Sequence, residues 1–476
     1  VREAVVYQVY PRSFQDSDGD GVGDLRGIAA RLDHVASLGA DALWLSPITP
    51  SPGADWGYDV SDYTDVEPAF GTLADLDALV EAAHARGLRL LLDLVPCHTS
   101  IEHPWFRERP ERYVWADGGP PNNWLATFGG PAWDRDRRTG RWYLHSFYPE
   151  QPDLDWRNPE VVAAMQDVVR FWLARGVDGL RLDAIDRLLK DPAMRDDPPA
   201  ARPFPLPLPA GYGSLDHVHS ANAPDIGAAL AALRAAAGDA ALVGEVYQPT
   251  SALGPYLEHV DVAFCFELMH CPWDAGRLRA VLTEALARPG MAWVLSNHDF
   301  RRLASRWGPA NARAGALLLL TLPGAAFLYQ GDELGTLDGP GARPPLDRAG
   351  RDPYRHPMAW APGPGAGFSD GRPWLPPAEP PEGSVAEQDA DPGSTLAFSR
   401  ALIRLRRELR GPAELLDGAP GVLALRRGAH LIAVNTAPED RPSPRLGAVC
   451  LLTGPAALRA GRLAPGGGVV ARAPGG

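Results

Sequence analysis

The chain has 476 residues, with 46 basic against 59 acidic side chains and a formal net charge of −13. That balance argues against a nucleic-acid partner or an anionic membrane surface and leaves a small neutral molecule open. Glycine (50) and proline (49) exceed average usage, but 45% hydrophobic and 22% charged residues describe a globular chain. Collagen, coiled coil and intrinsic disorder are excluded.

Short apolar runs alternate with helix-period segments along most of the chain, the pattern of βα units in a parallel sheet. Eight strands are predicted, at Val5–Pro11, Ala40–Pro47, Arg89–Val95, Gly179–Asp183, Ala241–Tyr247, Val262–Leu268, Met291–Asp299 and Ala325–Gln330. Amphipathic stretches between them include Leu73–Arg86, Glu160–Arg175, Asp225–Ala237 and Ala275–Ala287. Eight such units predict an α/β fold, a (β/α)8 TIM barrel with insertions. A doubly wound open sheet is the competitor, but it would place a glycine fingerprint after the first strand, where this chain has an acidic loop.

The gap after the third strand is too long for an ordinary barrel loop. Thr99–Trp156, rich in Trp, Pro, Gly and Asn, reads as a small domain inserted there, with the barrel assigned to 1–98 and 157–395. A second excursion, Asp186–Pro224, follows the fourth strand, and a Pro- and Gly-dense segment, Gly339–Pro392, follows the eighth. A basic helix at Ser394–Arg410 leads into short β-like runs (Val422–Leu425, Leu431–Val434, Ala448–Leu452), so 396–476 is expected to form a helix and an all-β cap.

The longest apolar stretch, Ala314–Leu322, is too short to cross a bilayer. Cys97, Cys265, Cys271 and Cys450 lack metal-ligand spacing and read as free thiols. With no charged-then-apolar leader at Val1–Tyr10, the expectation is a cytoplasmic protein with no membrane partner. All but one of the 46 basic residues are arginine, the exception being Lys190.

In a TIM barrel the active site lies at the C-terminal ends of the strands. There the sequence places Asp93 and His98, Arg181 and Asp183, Glu245, and Asn297-His298-Asp299. Strand alternation turns Arg181 and Asp183 toward the barrel axis and Leu180 and Leu182 toward the helices. An arginine beside Asp183 is expected to keep it ionised, while Glu245 among aromatic and apolar neighbours is expected to stay protonated. One anionic and one protonated carboxyl facing each other suit retaining glycoside hydrolysis. A structural ion pair could explain any one of these carboxylates, but three on three strands, each beside Arg or His, point to chemistry.

The ordered motifs DLVPCHTS (93–100), GLRLDAID (179–186), VGEVY (243–247) and LSNHD (295–299) resemble the four signature regions of the α-amylase superfamily of glycoside hydrolases. QPDLDW (151–156), NNWLATFGGPAW (122–133) and FLYQGDELG (327–335) are similar to its α-glucosidase branch. The resemblance implies Asp183 as nucleophile, Glu245 as acid/base and Asp299 as transition-state stabiliser. It also implies sugar contacts from Arg181, His98 and His298, the last on resemblance alone because its parity differs from that of Asp299. Tyr58 would be a stacking platform and Asp59 a hydrogen-bond acceptor, paired with Arg355 to close the pocket. Phe128 and Phe147 would be its walls. Cys97 stands where the amylase branch has a calcium-binding Asn, so that calcium site is not expected.

The loop 16–24 places Asp16, Asp18, Asp20 and Asp24 at positions 1, 3, 5 and 9 of an EF-hand-like loop, with the Val22 carbonyl at position 7. Position 12 is Gly27 and not the usual Glu. A structural Ca²⁺, replaceable by Mg²⁺, is expected, with no organic cofactor. The implied activity is that of a retaining, exo-acting α-glucosidase on short neutral oligosaccharides or α-glucosides, monomeric or dimeric. Ala184 beside the nucleophile implies α-1,4 or broad linkage preference, because α-1,6-preferring relatives carry Val there. The alternatives are a glucosyltransferase or trehalose-forming isomerase on the same scaffold, and a non-catalytic, transporter-associated relative, which would lack the carboxylates kept here.

Overall fold

The computed structural model describes residues 1–474. Eight parallel strands close into a barrel: β1 (Val5–Val9), β2 (Ala42–Leu45), β3 (Arg89–Leu94), β4 (Gly179–Leu182), β5 (Ala241–Gly244), β6 (Val262–Phe264), β7 (Met291–Val294) and β8 (Ala325–Tyr329). Each pairs with its neighbours in sequence, and β1 pairs with both β2 and β8. That closure rules out the open doubly wound sheet.

Alternation along each strand divides the apolar side chains into two sets. Val6, Ala42, Trp44, Leu91, Val243, Phe264, Val294 and Phe327 pack together inside the barrel. The side chains alternating with them, among them Val5, Leu43, Leu90, Leu180, Leu182 and Leu328, belong to the outer core against the helices. Trp44, Phe264 and Phe327 plug the axis with ring centroids 4.8 to 6.0 Å apart. Polar side chains are therefore admitted only above this plug, at the C-terminal mouth.

The helices begin where the local sequence can satisfy their free amides. Thr72 and Asp75 form a capping box for Leu73–His84, Asn158 caps Pro159–Ala174, and Asp274 caps Ala275–Ala285. Several strands end earlier than their apolar runs suggest: β4 stops at Leu182, β5 at Gly244 and β7 at Val294. Asp183, Glu245 and Asp299 therefore lie just past the ladder. The expected strand Val262–Leu268 likewise stops at Phe264, and Phe266–His270 turns into a short helix.

Between β3 and β4, three short antiparallel strands (Trp115–Ala116, Trp142–Leu144, Trp133–Arg135) surround their own small core of Trp124, Trp133 and Leu144. A bridge between His98 and Asp153 ties this insertion to the end of β3, and one between Tyr113 and Leu154 joins two parts of the insertion itself. At the C-terminus a five-stranded antiparallel sheet follows the helix Thr395–Arg406.

The apolar run near 314–322 is the helix Ala312–Thr321, which packs against Thr395–Arg406 and the C-terminal sheet as well as the barrel. Among the described residues no helix is long and apolar enough to cross a membrane. Its C-terminal carbonyls are buried and lack helical partners. Arg406 donates to the Leu320 and Leu322 carbonyls (2.8 and 2.7 Å), and Arg427 to those of Thr321 and Leu322 (3.1 and 2.9 Å). Two arginines from C-terminal elements thus cap a barrel helix. Arg406→Met, which keeps the apolar stem and removes the donors, is expected to destabilise the protein by about 2 kcal/mol in chemical denaturation.

Candidate active site

Above the barrel plug, Arg181 at the end of β4 extends into the mouth and is almost completely buried. Its Nη1 donates to Asp93 Oδ1 and to Asp183 Oδ1, both at 2.7 Å, and its Nη2 meets Glu245 Oε2 at 2.7 Å. One guanidinium therefore serves three carboxylates from three adjacent strands. Burial pushes Asp183 well above the ordinary aspartate value; Arg181 opposes the shift, and the neighbouring charges of Glu245 and Asp93 reinforce it. Asp93 is pushed up to about 7, chiefly by burial and against the pull of Arg181. Arg181 is thus one of several influences on Asp183, opposing its burial as expected. Two buried carboxylates and a half-buried third exceed what one guanidinium can offset, so the cluster retains a proton.

The backbone contributes as well. Ala184 adopts a left-handed conformation (φ 44°, ψ 44°), uncommon for a residue with a Cβ, and its N–H donates to Glu245 Oε2 at 3.1 Å. Asp183 and Glu245 are themselves in hydrogen-bond contact.

Asp299 lies across the mouth from this cluster. Arg351 and Arg355 each donate to its Oδ1 at 3.0 Å, and His298 Nε2 lies 3.2 Å from its Oδ2. Burial alone would raise the Asp299 carboxyl, but His298 and the arginines outweigh it and hold the group far below its ordinary value. His298 is fully buried and pushed down to about 3 by that burial, so the ring is neutral near pH 7. Gln8 Nε2 lies 2.8 Å from His298 Nδ1, which leaves the His298 Nε2–H to face Tyr58 Oη (2.6 Å) and Asp299. The parity difficulty at His298 disappears because β7 ends at Val294, and alternation does not continue into residues 297–299.

These groups border a cavity of about 500 Å³. Tyr58, His98, Phe128, Phe147, Asp183, Glu245 and Asp299 line it, whereas Arg181 and His298 stand behind that lining. Phe128 and Phe147 pack at 5.8 Å, and Phe147 lies 5.2 Å from His98. The excursion after β4 also reaches the cavity, through Asp186, Arg187 and Pro207-Leu208-Pro209. Nothing in its composition announced this.

The expected pair Asp59–Arg355 does not form. Asp59 is fully buried away from the cavity, its carboxylate taken by the Ser51 hydroxyl (2.6 Å) and the amides of Ala54 and Asp55 (2.8 and 2.9 Å). Arg355 is directed to the His298 carbonyl (2.8 Å) and Asp299. Asp55 and Arg351 line the cavity and pair with each other instead, and Gln151 Nε2 donates to Asp55 Oδ2 at 3.0 Å. Each residue of the working pair stands four positions before the one expected.

Two further clusters bear on metals. Asp16, Asp18 and Asp24 bring one carboxylate oxygen each within 4.8 Å of one another, while Asp20 stays exposed with its carboxylate on the Val22 N–H. Burial raises Asp16, but the Ser369 hydroxyl and the amides of Gly19, Gly21 and Asp18 outweigh it and keep the carboxyl below its ordinary value. Gly21, at φ 92°, seats the loop against residue 372, where a Cβ would come within 2.0 Å of the Arg372 carbonyl oxygen. An all-oxygen anionic donor set of this kind fits a hard divalent cation. Cys97, His98 and Asp153 also converge, but the buried Lys190 places its ammonium 2.9 Å from Asp153. A cation there would meet a positive charge already in place.

The family model described as the catalytic domain of α-amylase matches residues 8–411. A probable α-glucosidase of Rhizobium meliloti (strain 1021) is 42% identical, covering 90% of this chain and 86% of its own. An oligo-1,6-glucosidase of Parageobacillus thermoglucosidasius is 35% identical over 94% of this chain and 92% of its own. Among solved structures, the α-glucosyl transfer enzyme XgtA superposes with a TM-score of 0.91 at 38% identity, covering 98% of this chain and 99% of that one. The trehalulose synthase MutB of Pseudomonas mesoacidophila MX-45 reaches 0.87 at 31%, covering 98% of each. The chain belongs to the α-amylase family of glycoside hydrolases, on the branch of the α-glucosidases and oligo-1,6-glucosidases.

Proposed function

We propose that the protein is a retaining, exo-acting α-glucosidase that releases terminal non-reducing α-linked glucose from short oligosaccharides or α-glucosides, with α-1,4 or broad linkage preference. The observation that carries this reading is the Asp183–Glu245 pair, in mutual contact on one buried guanidinium. Carboxyls this close leave no room for the water that an inverting enzyme holds between them. Asp183 attacks the anomeric carbon while Glu245 gives its proton to the leaving oxygen. Glu245 then takes a proton from water, which releases glucose from the ester on Asp183. Asp299, kept anionic by Arg351 and Arg355, faces the positive charge that develops on the ring.

The cavity supports exo action because the Asp55–Arg351 pair closes it on the side of the terminal glucose. Arg351 also binds Asp347 (2.7 Å) and Asp299, so one side chain joins three loops there. A second reading, glucosyl transfer to a sugar acceptor, is favoured by the likeness to XgtA and MutB. Chromatography of the products from maltose and sucrose separates the two, since hydrolysis gives free monosaccharides and transfer gives new oligosaccharides or isomers. For the loop 16–24 we propose a structural Ca²⁺ site, with Mg²⁺ able to replace it. Asp16, Asp18 and Asp24 would hold the ion and so fix the chain following β1.

Asp183→Asn is expected to lower kcat on a nitrophenyl α-glucoside by on the order of 10⁴-fold with the fold intact by circular dichroism; undiminished turnover would refute the mechanism. The pH profile gives a second check. The cluster's proton is required for leaving-group departure and is lost as pH rises, giving the wild type a basic limb in kcat/KM. Asp93→Asn removes a negative charge that helps retain that proton, so the limb should move to lower pH. For the metal loop, chelator is expected to lower Tm and added Ca²⁺ to restore it, an effect that Asp16→Ala abolishes.

A further inference from the structure

The end of the barrel opposite the catalytic mouth holds a second cavity, of about 300 Å³. Here the residues leading into β1 and β2 meet the end of the helix Thr395–Arg406 and the strand Val422–Arg427 of the C-terminal sheet. Its walls carry Arg406, Arg407, Arg410 and Arg427 against two carboxylates, Glu3 and Asp41. Four guanidinium groups on one surface run against the overall balance of a chain whose net charge is −13. Both carboxylates are already committed. Asp41 Oδ2 accepts from the Val5 N–H at 2.8 Å. Glu3 Oε1 accepts from the Gly324 N–H and its Oε2 from Arg427 Nη2, both at 3.2 Å.

Arg406 and Arg427 are buried, and the acceptors that satisfy their N–H groups are mostly backbone carbonyls at the end of the helix Ala312–Thr321. Carbonyls answer a hydrogen bond but carry no net charge, and a helix C-terminus supplies only about half an elementary charge. Among the described residues, the carboxylate that pairs with either arginine is Glu3, whose side chain is 67% exposed and therefore screened by water. Burial and the nearby charge of Arg427 push Arg406 down to about 10, and burial lowers Arg427 as well. Arg410 is exposed at the rim and has no carboxylate partner among the described residues. Arg407, also exposed, reaches the Gly39 carbonyl at 3.2 Å and Asp41 only at 3.8 Å. The cavity is thus walled by positive charge that the protein itself does not balance.

We propose that this cavity binds a doubly charged tetrahedral oxyanion, inorganic phosphate or the phosphate of a small ester, among Arg406, Arg407, Arg410 and Arg427. A planar guanidinium offers parallel N–H donors to two oxygens of such a group, and the anion brings the negative charge that the carbonyls lack. Chloride carries one charge and has no second oxygen for the fork to grip, so it is the weaker occupant. Arg406 and Arg427 are held in place by the carbonyls they cap, which leaves only the two rim arginines to be ordered on binding. Because barrel, helix and C-terminal sheet all border the cavity, a bound anion ties the sheet to the barrel and stabilises the folded chain.

Thermal unfolding of the full chain tests this, with sulfate, inorganic phosphate or glycerol phosphate replacing chloride at constant ionic strength. A rise in Tm of about 2 °C that saturates at millimolar anion is expected. Saturation separates a site from the unsaturating effect of salts excluded from the protein surface. Arg410→Gln should raise the half-saturating concentration severalfold, and Arg407→Gln with Arg410→Gln should remove most of the rise while Tm in chloride stays nearly unchanged. A rise with the inorganic ions alone identifies a free anion as the occupant, and a rise with glycerol phosphate as well admits an ester; either supports the site. A Tm no higher than in chloride, a rise that climbs without saturating, or an equal rise in both variants overturns the proposal.

Discussion

Arg181 is a single buried positive charge set among three carboxylates, and the arrangement of the site follows from that imbalance. The guanidinium is planar and cannot be deprotonated, so it fixes Asp93, Asp183 and Glu245 in one geometry and neutralises only part of their charge. The remainder is met by keeping a proton in the cluster, and a glycosidase needs such a proton to hand. The aromatic plug of Trp44, Phe264 and Phe327 below makes the balance strict, because it keeps the base of the cluster out of water. A barrel filled with smaller side chains would hydrate the same groups and relax the balance between them.

Arg351 does for the loops what Arg181 does for the strands. It joins Asp55 after β2, Asp299 after β7 and Asp347 in its own segment. Its partners lie up to 296 positions away along the chain, so the closed end of the cavity exists only in the folded chain. The two arginines act on opposite kinds of carboxylate. Asp299, facing two arginines and a neutral histidine, is held ionised, whereas Asp183 shares one arginine with two other carboxylates and its carboxyl is raised. The separation owes much to how the positive charges are distributed around the two aspartates.

How much of this could be read from the sequence depended on whether the relevant geometry was local. Alternation on β4 correctly turned Arg181 and Asp183 inward and Leu180 and Leu182 outward, because a strand's period is a property of consecutive residues. The number and order of barrel strands were legible for the same reason. The pair that closes the pocket was not. The stretch 55–59 contains two aspartates and the stretch 351–355 two arginines, and only the folded loops show that Asp59 is consumed by Ser51 and two amides. The third carboxylate on Arg181, Asp93, was visible at its strand end but could not be weighed without knowing that β3 adjoins β4 in register, Asp93 opposite Arg181. The proline-leucine wall was opaque altogether, since its place over the cavity depends on Leu206 finding the barrel interior.

Lys190 is the chain's one lysine, and it is buried with its ammonium on Asp153 beneath the inserted strands. The exposed positive charge of this protein is therefore carried by guanidinium groups. Reagents that acylate or cross-link lysine amines meet no accessible lysine side chain, so they would leave the rim of the cavity and its arginine clamps untouched. Should Lys190 become reactive, it would report that the insertion had lifted from the barrel, which makes this single lysine a built-in gauge of that junction's integrity.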